Sequence, residues 1–203
     1  VLTTRELARM IKQANIEFEQ LEEKEFDSPM GEATGAAAIF GVTGGVMEAA
    51  LRSVSEILTG EELEKIEFKE IRGEQGIKRA SLKLGERDIK VVVAHGLGNA
   101  QTIMEEIKSG KADYQFVEIM ACPGGCIMGG GQPIKNSKIR GTIDVRRKRA
   151  EAMYSIDEKS KIRKSHENPI LKQIYSEYIG VPGGHKAHEL LHTTYSRKEK
   201  YNI

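Results

Sequence analysis

The sequence predicts an α/β fold: a mostly parallel sheet flanked by helices, followed by a helical C-terminal segment. The first observation is a continuous β-branched run at 89–94, which is typical of a strand buried on both faces. The second is a glycine-containing turn and a helical pattern over 99–108, followed by a further strand pattern at 114–120. Strand, helix and strand in this order indicate parallel pairing, and ligands of such folds bind at the carboxyl ends of the strands.

Length and composition limit the classes of protein to which the chain can belong. Its 203 residues suit one domain or slightly more, with 39% hydrophobic and 30% charged residues. A net charge of +1 argues against nucleic-acid binding, and no apolar run approaches the roughly 18 residues of a membrane span. Two cysteines are too few for a disulfide-built secreted scaffold, so we expect a cytoplasmic protein. The first residue is Val1 and not methionine, so we expect that an upstream piece has been removed.

The N-terminal part is predicted to contain two helices. The first begins near Thr3 and ends at Asn15, because apolar residues between them recur at helical spacing. An acidic stretch follows at 17–25 and is interpreted as a solvated linker. The second helix is predicted over 45–58, with Gly60 as its end.

Four strands are predicted in the middle of the chain. The segments 66–72 and 77–84 alternate apolar and charged residues, as strands with one buried face do. With 89–94 and 114–120 they are expected to form one sheet, with the two helices over 45–58 and 99–108 beside it. Beyond residue 141 three helices are predicted, and we expect them to pack back on the sheet part: 143–156, 170–179 and 185–195.

A glycine-rich segment with both cysteines follows the last predicted strand. Ten of the 21 glycines lie in two windows, 31–45 and 124–131, and the cysteines border the second window. Cys122 and Cys126 have the spacing C-x₃-C, which differs from the C-x₂-C of most zinc knuckles. Glycines let the backbone approach closely, so two thiolates can converge on an object larger than one ion. Thiolates select iron–sulfur clusters, zinc or copper.

Other interpretations of these residues remain open at this point. The cysteines could be small buried hydrophobic residues. Cys122 and Cys126 could also form a Cys₂His₂ zinc site with His188 and His192, which are four residues apart on a predicted helix. Gly41–Gly45 could bind phosphate, although it lacks the dinucleotide-binding and Walker patterns.

Three segments resemble the iron-only ([FeFe]) hydrogenases. Met120–Pro133 resembles the third cysteine signature of that family's active-site domain. Phe26–Arg52 resembles the stretch that walls the two-iron pocket, and Arg146–Tyr195 resembles the small-subunit segment. By this resemblance, 1–141 is the C-terminal part of the large-subunit domain and 142–203 is a small-subunit-like helical segment.

The resemblance implies roles for the residues around the H-cluster, a [4Fe-4S] cubane joined to a two-iron subsite. Cys122 would ligate the cubane, Cys126 would bridge the cubane and the two-iron subsite, and Met120 would pack against the cluster. Three further residues would form an apolar wall beside the two-iron subsite: Phe40, Gly41 and Val46. Such a wall fits the chemistry, because a gas substrate needs a dry pocket.

The chain departs from the family pattern in its cysteines. The family holds the cluster with four, two of them in upstream signatures of the Thr-Ser-Cys-Cys-Pro and Met-Pro-Cys types, and neither occurs here. The chain therefore resembles part of an enzyme for reversible hydrogen oxidation and proton reduction, and alone it is expected to lack the H-cluster and to be inactive.

The resemblance also implies partners. These are the missing N-terminal half of the active-site domain and, through further modules, a ferredoxin or an NAD(P)H-linked electron carrier. A second copy of the chain could instead cover an exposed apolar face expected near Phe40, Val46 and Met120. The alternative function is an iron–sulfur-binding, sensory or assembly relative without hydrogen turnover.

Overall fold

Three strands form the sheet of this computed structural model, which describes residues 1–25, 27, 31–61, 67–68, 71–73 and 75–197. They are β1 (Ile77–Leu84), β2 (Arg87–His95) and β3 (Phe116–Met120), in that spatial order. The three segments predicted at 77–84, 89–94 and 114–120 are therefore confirmed as strands.

Eight α-helices accompany the sheet in the described ranges. In chain order, α1 to α8 are Thr4–Gln13, Gly35–Ile39, Gly45–Thr59, Leu97–Lys108, Ser137–Thr142, Val145–Lys159, Pro169–Ile174 and His185–Leu191. A π-helical turn, Tyr175–Ile179, continues α7. All the predicted helices are present, with ends that differ by a few residues, whereas α2 and α5 are short helices that the sequence interpretation missed.

The α/β class is confirmed, but the sheet is mixed rather than mostly parallel across the described strands. β1 and β2 pair antiparallel, from Ile77 opposite Ala94 to Leu84 opposite Arg87. Two residues join them, and a connection this short can only return the chain antiparallel. β2 and β3 pair parallel through the crossover helix α4, as predicted.

The strand predicted at 66–72 is wrong for those of its residues that the structure describes. Ile71 donates its backbone N–H to the carbonyl of Phe68 at 3.2 Å, which is a local turn and not a ladder bond. Ile71 is 1% exposed and packs with Met47 and Leu51 in the core, and Phe68 packs against the same cluster. Phe68 and Ile71 therefore pack on the core from a turn. The charged residues between and around them produce the same alternating pattern in the sequence as a strand does. Residues 66, 69 and 70 lie outside the described residues.

Helices cover the two faces of the sheet. On one face Val91 and Val93 pack with Met47 and Leu51 of α3. On the other face Val92 and Ala94 pack with Ile103 of α4. Burial of alternate β2 residues on opposite faces explains the continuous apolar run in the sequence.

The segment after residue 141 packs on the rest of the molecule, as predicted. Tyr154 of α6 packs against Ala36, Ile39 and Ala49. The structure describes every residue of 143–197, and none of them lies in a strand. Within the described ranges, no helix has both the length and the apolar character needed to cross a membrane.

Candidate metal centre

The two cysteines lie in the segment that leaves β3, residues 121–133, here called the cysteine loop. Met120 ends β3, is half-buried, and accepts a hydrogen bond at its carbonyl from the N–H of Gly96 at 2.8 Å. Cys122 is half-buried, and Cys126 is exposed at the start of a 3₁₀ turn; both thiols are free. Both cysteines thus lie at the carboxyl end of a strand paired in parallel, where ligands of α/β folds bind.

Glycine is required in the cysteine loop for backbone and packing reasons. Gly124 and Gly125 have φ of 87° and 94°, in the region that side chains disfavour. A Cβ on Gly125 would lie 2.6 Å from the carbonyl oxygen of Gly41. A Cβ on Gly129 would lie 3.2 Å from the carbonyl oxygen of Cys126, which is a tight approach, and 3.9 Å from the Sγ of Cys122, which is ordinary contact.

The loop that contains the predicted wall residues contacts the cysteine loop directly. The carbonyl of Gly41 accepts the N–H of Ile127 at 3.1 Å, and Thr43 donates its N–H to the carbonyl of Gly124 at 3.2 Å. Phe40 is 45% exposed and Val46 is half-buried. Residues 40–46, here called the wall loop, therefore lie beside the cysteine loop, with Gly41 and Thr43 as the contacts.

A buried carboxylate that sequence interpretation missed holds the wall loop to β3. Glu118 accepts backbone N–H bonds from Gly44 at 2.6 Å and from Met47 at 2.7 Å. Burial raises the pKa of Glu118, and the two backbone hydrogen bonds oppose this effect. The sequence signal for this role was a single acidic residue inside an apolar strand, because a buried carboxylate needs hydrogen-bond donors.

Three further side chains fix the cysteine loop from outside. His95, at the end of β2, accepts the N–H of Gly124 at its Nδ1 atom. Arg149 of α6 donates to the carbonyl of Ile127 at 2.7 Å and to that of Pro133 at 2.8 Å. Arg5 of α1 also donates to a loop carbonyl, that of Gly130. The loop is thus held by the sheet, by α1 and by α6.

The space beside Cys126 suits a group larger than one ion. A cavity of about 420 Å³ adjoins it and is lined by Gly41, Gln132, Arg149 and Met153, among others. Two free thiols, glycines without side chains and open space next to one thiol fit an iron–sulfur group, since soft thiolates are its usual ligands.

The structure does not support the zinc alternative. Among the described residues, which include all four proposed ligands, no group of ligand atoms within 4.8 Å combines Cys122 and Cys126 with His188 and His192. The two histidines lie on or next to the short helix α8, with ring centroids 4.4 Å apart, and both are exposed. They contact each other and not the cysteines.

One group with possible metal ligands occurs elsewhere in the described part of the chain. Glu56, His166 and Glu167 have ligand atoms within 4.8 Å of one another. The Nζ of Lys164 lies 2.6 Å from Glu56 and 3.0 Å from Glu167. An ammonium group already balances these carboxylates, so the cluster is an ion-pair network rather than a metal site.

Comparison with known proteins gives consistent similarities. Residues 1–130 match the family described as "Iron only hydrogenase large subunit, C-terminal domain", and residues 143–198 match "Iron hydrogenase small subunit". The chain is 48% identical over 197 residues to iron hydrogenase 1 of Clostridium pasteurianum, an alignment covering 97% of this chain and 34% of that protein. Protein NAR1 of Arabidopsis thaliana is 34% identical over 200 residues, covering 96% of this chain and 41% of its own length.

A solved structure shows the same fold. HydA1, an [FeFe]-hydrogenase from Chlamydomonas reinhardtii, matches 94% of this chain with a TM-score of 0.70 and 41% identity, over 53% of its own length. The chain therefore spans about a third of the Clostridium relative and about half of the HydA1 chain.

Proposed function

Since the chain belongs to the iron-only hydrogenase family, we propose that it is the C-terminal part of an active-site domain for reversible hydrogen oxidation and proton reduction. The observation that carries the proposal is the pair of free thiols on one glycine loop, fastened to the wall loop. An ordinary electron carrier has no use for a second, apolar loop beside its cysteines.

The residues of this chain take the following roles in the proposal. Cys122 would be a ligand of the [4Fe-4S] cubane, and Cys126 would serve as a thiolate ligand to both the cubane and the two-iron subsite. Met120 would pack against the cluster. The wall loop excludes water from the reacting side through Phe40, Gly41 and Val46. When bound, the cluster supplies the metal centre at which hydrogen is split or formed.

The exposed apolar surface supports a protein partner. No residue of α1 is buried, and large apolar side chains of this region are at least 44% exposed: Leu7, Met10, Ile16, Phe18 and Leu21. An exposed patch of this kind marks an interaction surface. We assign it to the rest of the active-site domain, which would also bring the remaining cluster cysteines. Electrons would then arrive from a ferredoxin or an NAD(P)H-linked carrier, in a cytoplasmic enzyme.

The test is anaerobic reconstitution with iron and sulfide, with iron counted per chain and hydrogen assayed with reduced viologen. Two thiolates cannot replace four ligands, so the chain alone should hold iron weakly and evolve no hydrogen. Cys122→Ala and Cys126→Ala should each abolish the iron, whereas Met128→Ala, in the same loop, should keep it. Iron that survives either cysteine variant would contradict the proposed ligands, and hydrogen evolution by this chain alone would contradict the partner requirement.

An assembly relative without hydrogen turnover is the second candidate. Its support is the alignment with NAR1, which covers 96% of this chain. The higher identity to the Clostridium hydrogenase, 48% against 34%, favours the first candidate. Joining this chain to the upstream half of the Clostridium active-site domain separates them, because only the first candidate expects hydrogen turnover from the loaded hybrid.

A further inference from the structure

We propose that His95 is a positioning residue of the cysteine loop. Its Nδ1 atom fixes Gly124, which lies midway between the two cysteines in the sequence. The consequence for iron binding rests on the proposed function, whereas the positioning itself does not.

The position of His95 in the sheet puts its side chain beside the cysteine loop. His95 is the last residue of β2 and pairs with Met120, the last residue of β3. The N–H of Gly124 donates to His95 Nδ1 at 3.2 Å, and this contact is buried. The imidazole therefore links the end of one strand to the loop that leaves its neighbour.

The acceptor role defines the state of the ring. A backbone N–H can only donate, so Nδ1 carries the lone pair and Nε2 the hydrogen. Burial lowers the pKa of His95, and the positive charge of Arg146 lowers it further, so the ring stays neutral at neutral pH. The backbone of His95 is fixed as well: its N–H donates to Gly76 at 3.0 Å, and its carbonyl accepts from Asn99 at 2.7 Å.

Gly124 is held on both of its backbone groups. His95 takes its N–H, and its carbonyl accepts the N–H of Thr43 at 3.2 Å. Cys122 and Cys126 lie two residues before and two residues after it. Both φ angles at 124 and 125 are positive, and the N–H of Gly125 donates to the carbonyl of Cys122 at 2.9 Å. With these contacts, His95 helps to set the conformation of the peptide between the two cysteines.

The chain offers a matched set of variants at this position. In His95→Asn, the side-chain oxygen can take the place of Nδ1 and keep the acceptor. In His95→Gln, the amide lies one carbon further out, where Nε2 was, and cannot reach Gly124. Both variants are neutral and polar, so they differ chiefly in the position of the acceptor.

The measurement is hydrogen exchange of the Gly124 amide in the complete 203-residue chain, with the Met47 amide as internal reference. His95→Gln should raise the Gly124 rate about fivefold to tenfold, the factor that corresponds to one lost neutral hydrogen bond. His95→Asn should stay within about twofold of the wild type, and the Met47 amide should not change in either variant.

Three results would overturn the positioning role: an unchanged Gly124 rate in His95→Gln, equal acceleration in both variants, or parallel acceleration of Met47, which would indicate general destabilisation. Iron uptake is a separate arm. His95→Gln should lower iron per chain, and His95→Asn should restore it. If the wild type takes up no iron, but its Gly124 amide exchanges slowly and the same amide exchanges faster in His95→Gln, the proposed function fails and the positioning role stands.

Discussion

The backbone N–H of Met47 donates to a carboxylate oxygen of Glu118 at 2.7 Å, which ties the first turn of α3 to the middle of β3. The second oxygen accepts from Gly44, so one side chain satisfies two amides at the start of a helix. The cysteine loop follows β3, and α3 begins within the wall loop, at Gly45. The two loops are therefore held together by an interaction that involves neither cysteine.

Glu118→Gln should destabilise the fold by about 1–3 kcal/mol, because an NH₂ group then faces a buried backbone donor. Native Glu118 has a raised pKa and takes up its proton at higher pH than the unfolded chain does. The wild type should therefore gain stability over the variant as pH falls from the raised pKa towards about 4.3. Urea unfolding at several pH values measures both effects. Glu158→Gln, an exposed control on α6, should change little, and a gap that narrows on acidification would contradict the assignment.

Gly125→Ala should disturb the contact between the two loops. The residue has φ of 94°, and a Cβ would lie 2.6 Å from the carbonyl oxygen of Gly41. We expect a loss of about 1–3 kcal/mol in unfolding free energy, the usual range for backbone strain. Gly130→Ala is the control, since a Cβ there meets nothing within 4 Å. Equal stability of the two variants would show that the loops do not pack as described.

Asp157→Asn tests the link between the large-subunit-like and small-subunit-like parts. Asp157 accepts two hydrogen bonds from the buried Arg52, at 2.7 and 2.9 Å. Removing the charge should cost about 1–3 kcal/mol, because the buried Arg52 loses one counter-ion but keeps Glu48 at 2.8 Å. Chemical unfolding gives the value, and Asp113→Asn, which breaks an exposed pair with Lys90, should have little effect.

The same carboxylate gives a pH dependence of known sign. Burial opposes the charge of Asp157, but hydrogen bonds from Arg52 and Arg163 outweigh it and lower the pKa. Its stabilisation should therefore be present above about pH 3.9, the usual pKa, and be lost as pH falls through the lower native pKa. Acid titration of unfolding should show this loss in the wild type and not in Asp157→Asn.

Arg149→Gln should loosen the far half of the cysteine loop. The variant loses two bonds, to the carbonyls of Ile127 and Pro133. Because Cys126 is already exposed, the readout is hydrogen exchange of the Ile127 amide, which donates to Gly41 and should exchange about threefold to tenfold faster. Arg147→Gln is the matched control, because Arg147 is exposed on the same helix and pairs with Glu151 at 3.6 Å. The same rate in both variants would remove Arg149 from the set of residues that hold the loop.

Local sequence signals predicted most of the elements. The β-branched run predicted β2. Asn15 and Gly60 predicted the ends of α1 and α3, because asparagine and glycine adopt the positive φ that commonly ends a helix. The error at 66–72 arose because Phe68 and Ile71 pack from a turn, and periodicity over so few residues cannot separate a turn from a strand.

The candidate site was predicted only in its cysteines and the neighbouring wall loop. Glu118 and His95 hold the two loops through bonds between residues 29 to 74 positions apart, and no local pattern marks such contacts. The direction of β1 does not follow from its alternating pattern. It is set by the two-residue connection at 85–86, which is too short for a parallel crossover.

The separation of Arg52 and Asp157 along the chain has a consequence for biosynthesis. They are 105 residues apart, so at about 5–20 residues per second Arg52 leaves the ribosome roughly 5 to 20 s before its partner. During that interval the guanidinium of Arg52 on α3 cannot yet be buried against Asp157. The wall loop and α3 should therefore reach their final packing only after α6 has been synthesised. The cysteine loop precedes Arg149 by only 16 to 28 residues, so at the same rate it waits about 1 to 6 s for the Arg149 contacts that later hold it.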